Sequence, residues 1–463
     1  MAKGTKLFSV FNDDNASGVL YKNKSLKKLI IHYLDQNGQS TITELSKELN
    51  TSVPKITSLI NELIEDKLIK DYGKFDSTGG RRASIYGLVS DACYFIGVDV
   101  KKYYINIGLL DFKKHLVTLK EKIPYNLENT ASSLQQLLVV IKSFIGEQPV
   151  KLREKILGIG INLSGRINNT TGYSYSYFHF NEEPLAAIIQ KELGIKTFLE
   201  NDSRAMAYGE FCCGDLNNAR NVLFVNIDYG IGLGILIDGK LYYGKSGFSG
   251  EFGHVPIFDN EIICHCGKKG CLETEASGSA LIRKFNEKLA QGTTSIIMKK
   301  KKDQATINLQ DIIMAAKNED NLCIEILAEI GEKLGKGIAM LINVFNPETL
   351  ILGGTLSETG DYLRLPIRSA VNKYSLSLVN SDTQLKLSKL GEKAGVLGAC
   401  LIARGKICSL FEIRGEGVRI CQPIPVAILI KSATVVMRDS TCCLERGEFL
   451  KRSLNPSETS ASA

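Results

Sequence analysis

Between Gly250 and Glu273 the chain reads GEFGHVPIFDNEIICHCGKKGCLE, which brings His254, Cys264, Cys266 and Cys271 within 18 positions. One histidine and three cysteines can close a tetrahedral shell around zinc and leave no position open for water or substrate. Such a shell braces a loop rather than performing hydrolysis. It therefore fixes where the flanking carboxylates Glu251 and Glu273 stand. Carboxylates accept strong, paired hydrogen bonds, which suits the hydroxyls of a sugar. The alternative is a chance loop of free buried thiols, against which the CxC spacing and the glycine turn both weigh. His254 is open to either role, metal or sugar. The chain has 12 cysteines, taken as thiols or metal ligands because a cytoplasmic location is expected: the first residues do not resemble a signal peptide, and no stretch reaches the roughly 20 apolar residues of a membrane span.

The first ninety residues keep a different rhythm. Leu26, Leu29, Ile30, Tyr33 and Leu34 recur at helical spacing, with Gly38 as a stop. Ile42, Leu45 and Leu49 make a second apolar face behind a cap at Thr41 or Thr43. Ile56, Leu59, Ile60, Leu63 and Ile64 make a third, with Pro54 in the first turn, where a missing N–H is harmless. Three short helices with tight turns match a helix-turn-helix, and IKDYGKFDSTGGRRASIYGLV adds a hairpin that completes a winged form. The outer face of the third helix offers Ser52, Lys55, Thr57, Ser58 and Asn61 to base edges in a major groove. Arg81 and Arg82, on a glycine-rich tip, suit phosphates or a minor groove. A net charge of +7 fits a nucleic-acid partner without requiring one. A protein-interaction module with solvated charges is the plainer reading of the same helices.

From Ala92 strands interleave with helices, which argues for an α/β domain of two related lobes. At 463 residues the chain exceeds a single core, and about three domains are expected. Here the chain resembles the ROK group (repressors, open reading frames and sugar kinases) over about residues 20–404. The likeness is carried by Glu251-x-x-His254, Cys264-x-Cys266-x-x-x-x-Cys271 and Leu272-Glu273, which follow the family's zinc signature. Asn201 and Asp202 match its sugar-binding Asn and catalytic-base Asp. The resemblance implies a winged helix-turn-helix over residues 1–88, then a two-lobed actin-like (ribonuclease-H-like) domain over 89–404, its lobes at about 89–200 and 201–404. It implies structural zinc on His254, Cys264, Cys266 and Cys271, and sugar contacts from Ser164, Gly165, Asn201, Asp202, Glu251, His254 and Glu273. A homodimer or dimer of dimers is implied as well; no membrane partner is expected, since no stretch is long and apolar enough for a span.

The phosphate machinery departs from the kinases of this group. After Asp99 they carry a Gly-Gly-Thr turn, whereas Lys101 and Lys102 stand in its place here and would obstruct backbone contact with phosphate. The second loop keeps Gly230 and Gly232, with Tyr229 replacing a threonine, and the adenosine end keeps Gly353 and Gly354. Tight turns need glycine in any case. Productive ATP binding is not expected, and Asp202 would be a catalytic base only if the chain were a kinase; it is also a candidate helix cap. Ser164 and Gly165 parallel the family's Gly-x-Pro-Gly turn without its proline, and a plain strand-end turn would use the same residues. The aromatic run YSYSYFHF (173–180) reads as a lobe-packing strand, with stacking on a sugar ring as the alternative and His179 as a satisfied loop residue.

Together these features imply a sugar-responsive DNA-binding transcriptional regulator, a repressor of carbohydrate-metabolism genes. Its partners would be operator DNA and a sugar or sugar phosphate. The alternative is an active kinase for hexoses or N-acetylhexosamines; a third possibility is a sugar-binding module whose head recruits protein. Residues 405–463 have no counterpart in the pattern and read as a poorly ordered extension, whose cysteines lack the spacing of a second metal site.

Overall fold

The computed structural model describes residues 18–74, 83–180, 182–216, 218–300 and 307–408. The head comprises α1 (Val19–Asn37), β1 (Ser40–Thr41), α2 (Ile42–Glu48), α3 (Val53–Glu65), β2 (Ile69–Lys74) and β3 (Ser84–Leu88). Thr41, not Thr43, caps α2: its hydroxyl accepts from the Glu44 N–H while the Glu44 carboxylate accepts from the Thr41 N–H at 2.8 Å. That reciprocal box satisfies two otherwise orphaned donors. Ile56, Leu59, Ile60 and Leu63 of α3 are buried, as their spacing requires. β3 runs antiparallel to both β2 and β1, giving the wing a third short strand. The wing tip, with Arg81 and Arg82, lies outside the described residues.

The first lobe follows: β4 (Tyr94–Val100), β5 (Tyr104–Asp111), β6 (Leu116–Pro124), α4 (Ala131–Glu147), α5 (Val150–Arg153), β7 (Ile156–Leu163), β8 (Ile167–Asn168), β9 (Tyr173–Ser174), α6 (Leu185–Leu193) and β10 (Lys196–Asn201). The second begins with α7 (Asp202–Cys213), β11 (Val222–Ile227), β12 (Ile231–Ile237) and β13 (Lys240–Leu241). It continues with α8 (Leu272–Ala276), α9 (Gly278–Ala290), α10 (Ile297–Lys300), α11 (Leu309–Lys317) and α12 (Asn321–Phe345). Then come β14 (Thr349–Gly353), α13 (Asp361–Tyr374), α14 (Ser377–Asp382) and β15 (Gln384–Leu387), after which α15 (Lys393–Ile407) returns to pack on β4, β5 and β7 of the first sheet.

The two main sheets repeat one topology. Their orders are β6-β5-β4-β7-β10 and β13-β12-β11-β14-β15. In each, three strands joined by short turns are antiparallel, and two strands reached through helices are parallel. Every residue of β4 and β11 is buried, which explains why both read as nearly unbroken apolar runs.

α7 and α15 occupy equivalent places after the last strand of each sheet and lie against one another through small residues. A Cβ on Gly398 would sit 1.9 Å from the Ala205 carbonyl oxygen, and one on Gly160 of β7 would sit 2.1 Å from that of Ala399. Only glycine permits backbones this close. α15 then runs on to the head. Ala403, Ile407 and Cys408 share one core with Ile30, Leu63 and Leu68, together with Cys93, Phe95 and Phe112. The Arg404 guanidinium donates to both Asp35 carboxylate oxygens, at 2.5 and 3.2 Å, and to the Phe112 carbonyl at 3.1 Å. The Lys114 ammonium adds a contact to Asp35 at 3.0 Å. No helix among the described residues is long and apolar enough to cross a membrane.

Candidate functional site

His254 ends a short 3-10 turn, Cys271 immediately precedes α8, and Cys264 and Cys266 lie between them. The four ligand atoms all fall within 4.8 Å of one another. His254 Nδ1 is 3.5 Å from Cys264 Sγ, and the Cys266 and Cys271 sulfurs are 3.7 Å apart. With Zn–S near 2.3 Å and Zn–N near 2.0 Å, the corners of a tetrahedron lie about 3.5–3.8 Å apart. The donors therefore fit a closed zinc site, and all three cysteines are free thiols. Isolated bridges pairing Pro256 with Cys271 and Ile263 with Lys269 hold the loop's backbone. His265 joins the neighbourhood: its Nδ1 is 2.9 Å from Glu273 Oε1, and its ring meets that of His254 edge to face. His265 was not among the residues that the sequence singled out, although its place between Cys264 and Cys266 was a signal.

Glu273 lies in α8, and its Oε2 accepts from the Ile231 N–H at 2.9 Å. Burial pushes its carboxyl up, but the bonds from His265 and Ile231 outweigh this and hold it below the usual range. The closeness of Gly230 has a cause here, since a Cβ on it would stand 2.5 Å from Glu273 Oε2. Glu251 is partly exposed, its carboxylate 3.8 Å from His254 Nε2.

Across from this loop, β10 runs straight into α7. Asn201 is the N-cap, its Oδ1 accepting from the Arg204 N–H at 3.1 Å while its Nδ2 donates to the Gly165 carbonyl at 3.0 Å. Asp202 is thus not the cap but the first helical residue. Its Oδ2 accepts from the Ser164 hydroxyl at 3.0 Å and its Oδ1 from the Ser203 N–H at 2.7 Å. Gly165, with φ of 88°, needs the left-handed region that glycine tolerates. Ser164, Gly165, Asn201 and Asp202 therefore form one bonded group. Beneath it lies a pair that the sequence reading did not single out, Arg204 with Glu200 at 2.8 Å, both buried. Arg204 also donates to the carbonyls of Ile167 and Ser249, tying the loops on either side of the group to α7. The i,i+4 spacing of opposite charges across ENDSR was the available signal.

At the phosphate end, Asp99 is wholly buried and neither of its carboxylate oxygens has a hydrogen-bond partner. The Lys101 ammonium, itself buried, lies 3.5 Å from it and 3.6 Å from the sulfur of Met206 on α7. Burial pushes Asp99 up to about 6, opposed by the Lys101 charge. Burial pushes the Lys101 pKa down, but Asp99 above all, with Asp228, Asp202 and Glu392, outweighs this and raises it. Lys102 sits over the rings of Tyr103 and Tyr229, which meet edge to face at 5.4 Å, so the turns of the two lobes touch. The remaining glycines are taken up by packing: Gly232 against Ser203, Gly353 against Phe224, and Gly354 against Asn226.

On the head, Ser52, Ser58 and Asn61 are exposed and Lys55 and Thr57 half-buried. The Thr57 hydroxyl donates to the Val53 carbonyl at 2.8 Å, one turn back on its own helix.

The ROK family profile matches residues 95–406 and a winged helix-turn-helix DNA-binding profile matches residues 24–70. A xylose repressor of Caldicellulosiruptor bescii is 30% identical over 389 residues, 83% of this chain and 97% of its own length. A xylose repressor of Bacillus subtilis is 31% identical over 375 residues, 80% of this chain and 93% of its own. The transcriptional dual regulator NagC of Escherichia coli is 28% identical over 381 residues, 82% and 92% respectively. Among solved structures, a ROK family transcriptional regulator, a homologue of the E. coli MLC protein, superposes with a TM-score of 0.70 at 26% identity, covering 84% of this chain and 98% of that one. A ROK family glucokinase from Streptomyces griseus, bound to glucose and AMPPNP, gives 0.60 at 26% identity, covering 67% of this chain and 99% of its own.

Proposed function

The chain belongs to the ROK family, and on that premise we propose that it is a sugar-responsive transcriptional repressor. Its head, read as residues 1–88, binds operator DNA, and a cleft in the 89–404 body binds the sugar. The observation that carries this reading is the path of α15. One end, at Gly395, lies against Asp99 in the cleft, while the other, at Arg404, is bonded to Asp35 of the head. Whatever shifts the lobes about the α7–α15 contact also shifts the head. The sugar then acts by favouring one lobe arrangement over another, with a coupling of about 1–3 kcal/mol, or some 5- to 150-fold in operator affinity.

Ser164, Gly165, Asn201, Asp202, Glu251 and Glu273 are the groups offered to sugar hydroxyls. His254 with Cys264, Cys266 and Cys271 holds structural zinc that keeps two of those carboxylates in position. A homodimer suits a head that reads paired half-sites about 34 Å apart. The exposed apolar side chains Met340, Val344 and Phe345 at the end of α12, with Leu376 and Leu378 beyond α13, support such a pairing. Its place of action would be the cytoplasm.

Retention of Asp202 beside Ser164 favours the sugar-kinase reading as a second possibility. Lys101 weighs against it, because its buried ammonium occupies the region where phosphate and metal charge would be handled. The deciding experiment is an electrophoretic shift on the DNA upstream of the chain's own gene, at two salt concentrations, with xylose, glucose and N-acetylglucosamine added in turn. Binding that weakens steeply with salt and changes with one sugar supports the repressor. No shift under any condition, or hexose-dependent ATP turnover above background in a coupled assay, overturns it.

A further inference from the structure

The aromatic run from Tyr173 to Phe180 reads as a packing strand in the sequence, but only Tyr173 and Ser174 enter one. Tyr175 stays 49% exposed. It stands next to the candidate sugar loop: its N–H donates to the Arg166 carbonyl at 2.9 Å, and the Arg166 N–H donates to Ser176 Oγ at 3.0 Å. Gly165 faces that same hydroxyl so closely that a Cβ on it would collide. From the other lobe comes Phe248, three residues before Glu251 and 36% exposed. Its ring meets Tyr175 edge to face with centroids 5.6 Å apart, and Tyr175 lies 6.4 Å from Tyr173. Three rings thus stand in a row beside the loops that carry Ser164, Gly165 and Glu251. Tyr173 and Tyr175 also line a cavity of about 250 Å³, to which His179 and Glu183 contribute polar groups.

Exposed rings gathered at a ligand's loops are uncommon unless something covers them. A sugar ring matches such a row, because its C–H face lies on an aromatic surface while its rim hydroxyls reach polar neighbours. We infer that Tyr175 and Phe248, backed by Tyr173, form a subsite for a second sugar ring, so that the effector is a disaccharide or longer oligosaccharide. Its first unit lies among Asn201, Asp202, Glu251 and Glu273, and its second stacks on the two rings with Glu183 and His179 within reach of its hydroxyls. This rests on the sugar-responsive reading above and narrows its ligand class.

Calorimetric titration of the full chain with xylose, glucose and N-acetylglucosamine, and with the 1,4-linked disaccharide of each, tests the inference. One disaccharide should bind at least about tenfold tighter than its monosaccharide. Tyr175→Ala and Phe248→Ala should each remove most of that advantage and leave monosaccharide affinity unchanged. Tyr175→Phe should retain it, which separates stacking from a folding defect. If a monosaccharide binds and no disaccharide binds better, or if the variants weaken both alike, the subsite is overturned and the sugar-responsive reading stands. If no sugar of either size binds, both fall.

Discussion

An ammonium group that pairs with Asp99 inside the cleft does more than fill space. Taking a carboxylate out of water is expensive, and only an opposing charge makes it tolerable. Asp99, with its pKa raised to about 6 in the fold, contributes stability when protonated. That contribution is present at low pH and is lost as pH rises from the ordinary carboxylate range toward 6. Lys101→Met would remove the opposing charge and push Asp99 higher still. It should therefore cost about 3–5 kcal/mol at pH 8, a deficit that narrows toward pH 5 and largely disappears when Asp99→Asn is added. Denaturant titrations at the two pH values measure this, and a deficit independent of pH would exonerate the pair. Asp202→Asn should lower sugar affinity by at least about tenfold with little change in melting temperature, readable by thermal shift with and without sugar. The identities of Asp99, Asn201, Asp202 and Lys101 were all legible in the sequence. Their partners were not, because Ser164 meets Asp202, and Lys101 meets Met206, only after distant strands and helices come together.

Elements were legible where their periodicity is strong. The apolar stripe of α3 and the unbroken runs of β4 and β11 declare a half-buried helix and fully covered strands. The choice between Thr41 and Thr43 was not settled by the apolar spacing, since both hydroxyls stand at the start of that helix; Glu44 decides it, because a capping box needs its acid three residues after the cap. Thr41→Ala should accordingly cost about 1 kcal/mol, seen as a lower denaturation midpoint with operator contacts untouched. Nor could the matching order of the two sheets be read ahead of the fold, because strand order depends on pairings between distant segments. The loop from Glu251 to Glu273 is an element of another kind, held by isolated backbone bridges and carrying four side chains whose donor atoms could take a metal ion. Elemental analysis of the purified chain should find one zinc per polypeptide. Chelation should lower the melting temperature and weaken sugar binding, because Glu251 and Glu273 lose their anchorage. Cys266→Ser should do the same, while a metal-free preparation with unaltered sugar affinity would refute the bracing role.

Across the whole molecule, the join between head and body is as well built as a domain interior. Burial would raise the Asp35 pKa, but Arg404 and Lys114 more than offset it and hold it below the ordinary range. The stabilisation is therefore present at neutral pH and lost as pH falls below that range. Arg404→Met leaves the buried Asp35 carboxylate to Lys114 alone and should cost about 3 kcal/mol, the low end for a broken buried pair. The milder double variant Asp35→Asn with Arg404→Gln should fold, bind sugar normally and bind operator DNA, yet lose most of the sugar-dependent change in DNA affinity. Gel shifts with and without sugar decide this, and an undiminished response would show that the head is coupled by another route. α7 and α15, finally, meet with almost no side chains between them at Gly209 and Gly398. Around these points Met206 and Ala207 of α7 share a core with Ala394 of α15, and Tyr208 packs against Leu397 and Cys400. A ligand that moved one of the two helices would therefore carry the other with it, and α15 would hand that displacement to the head.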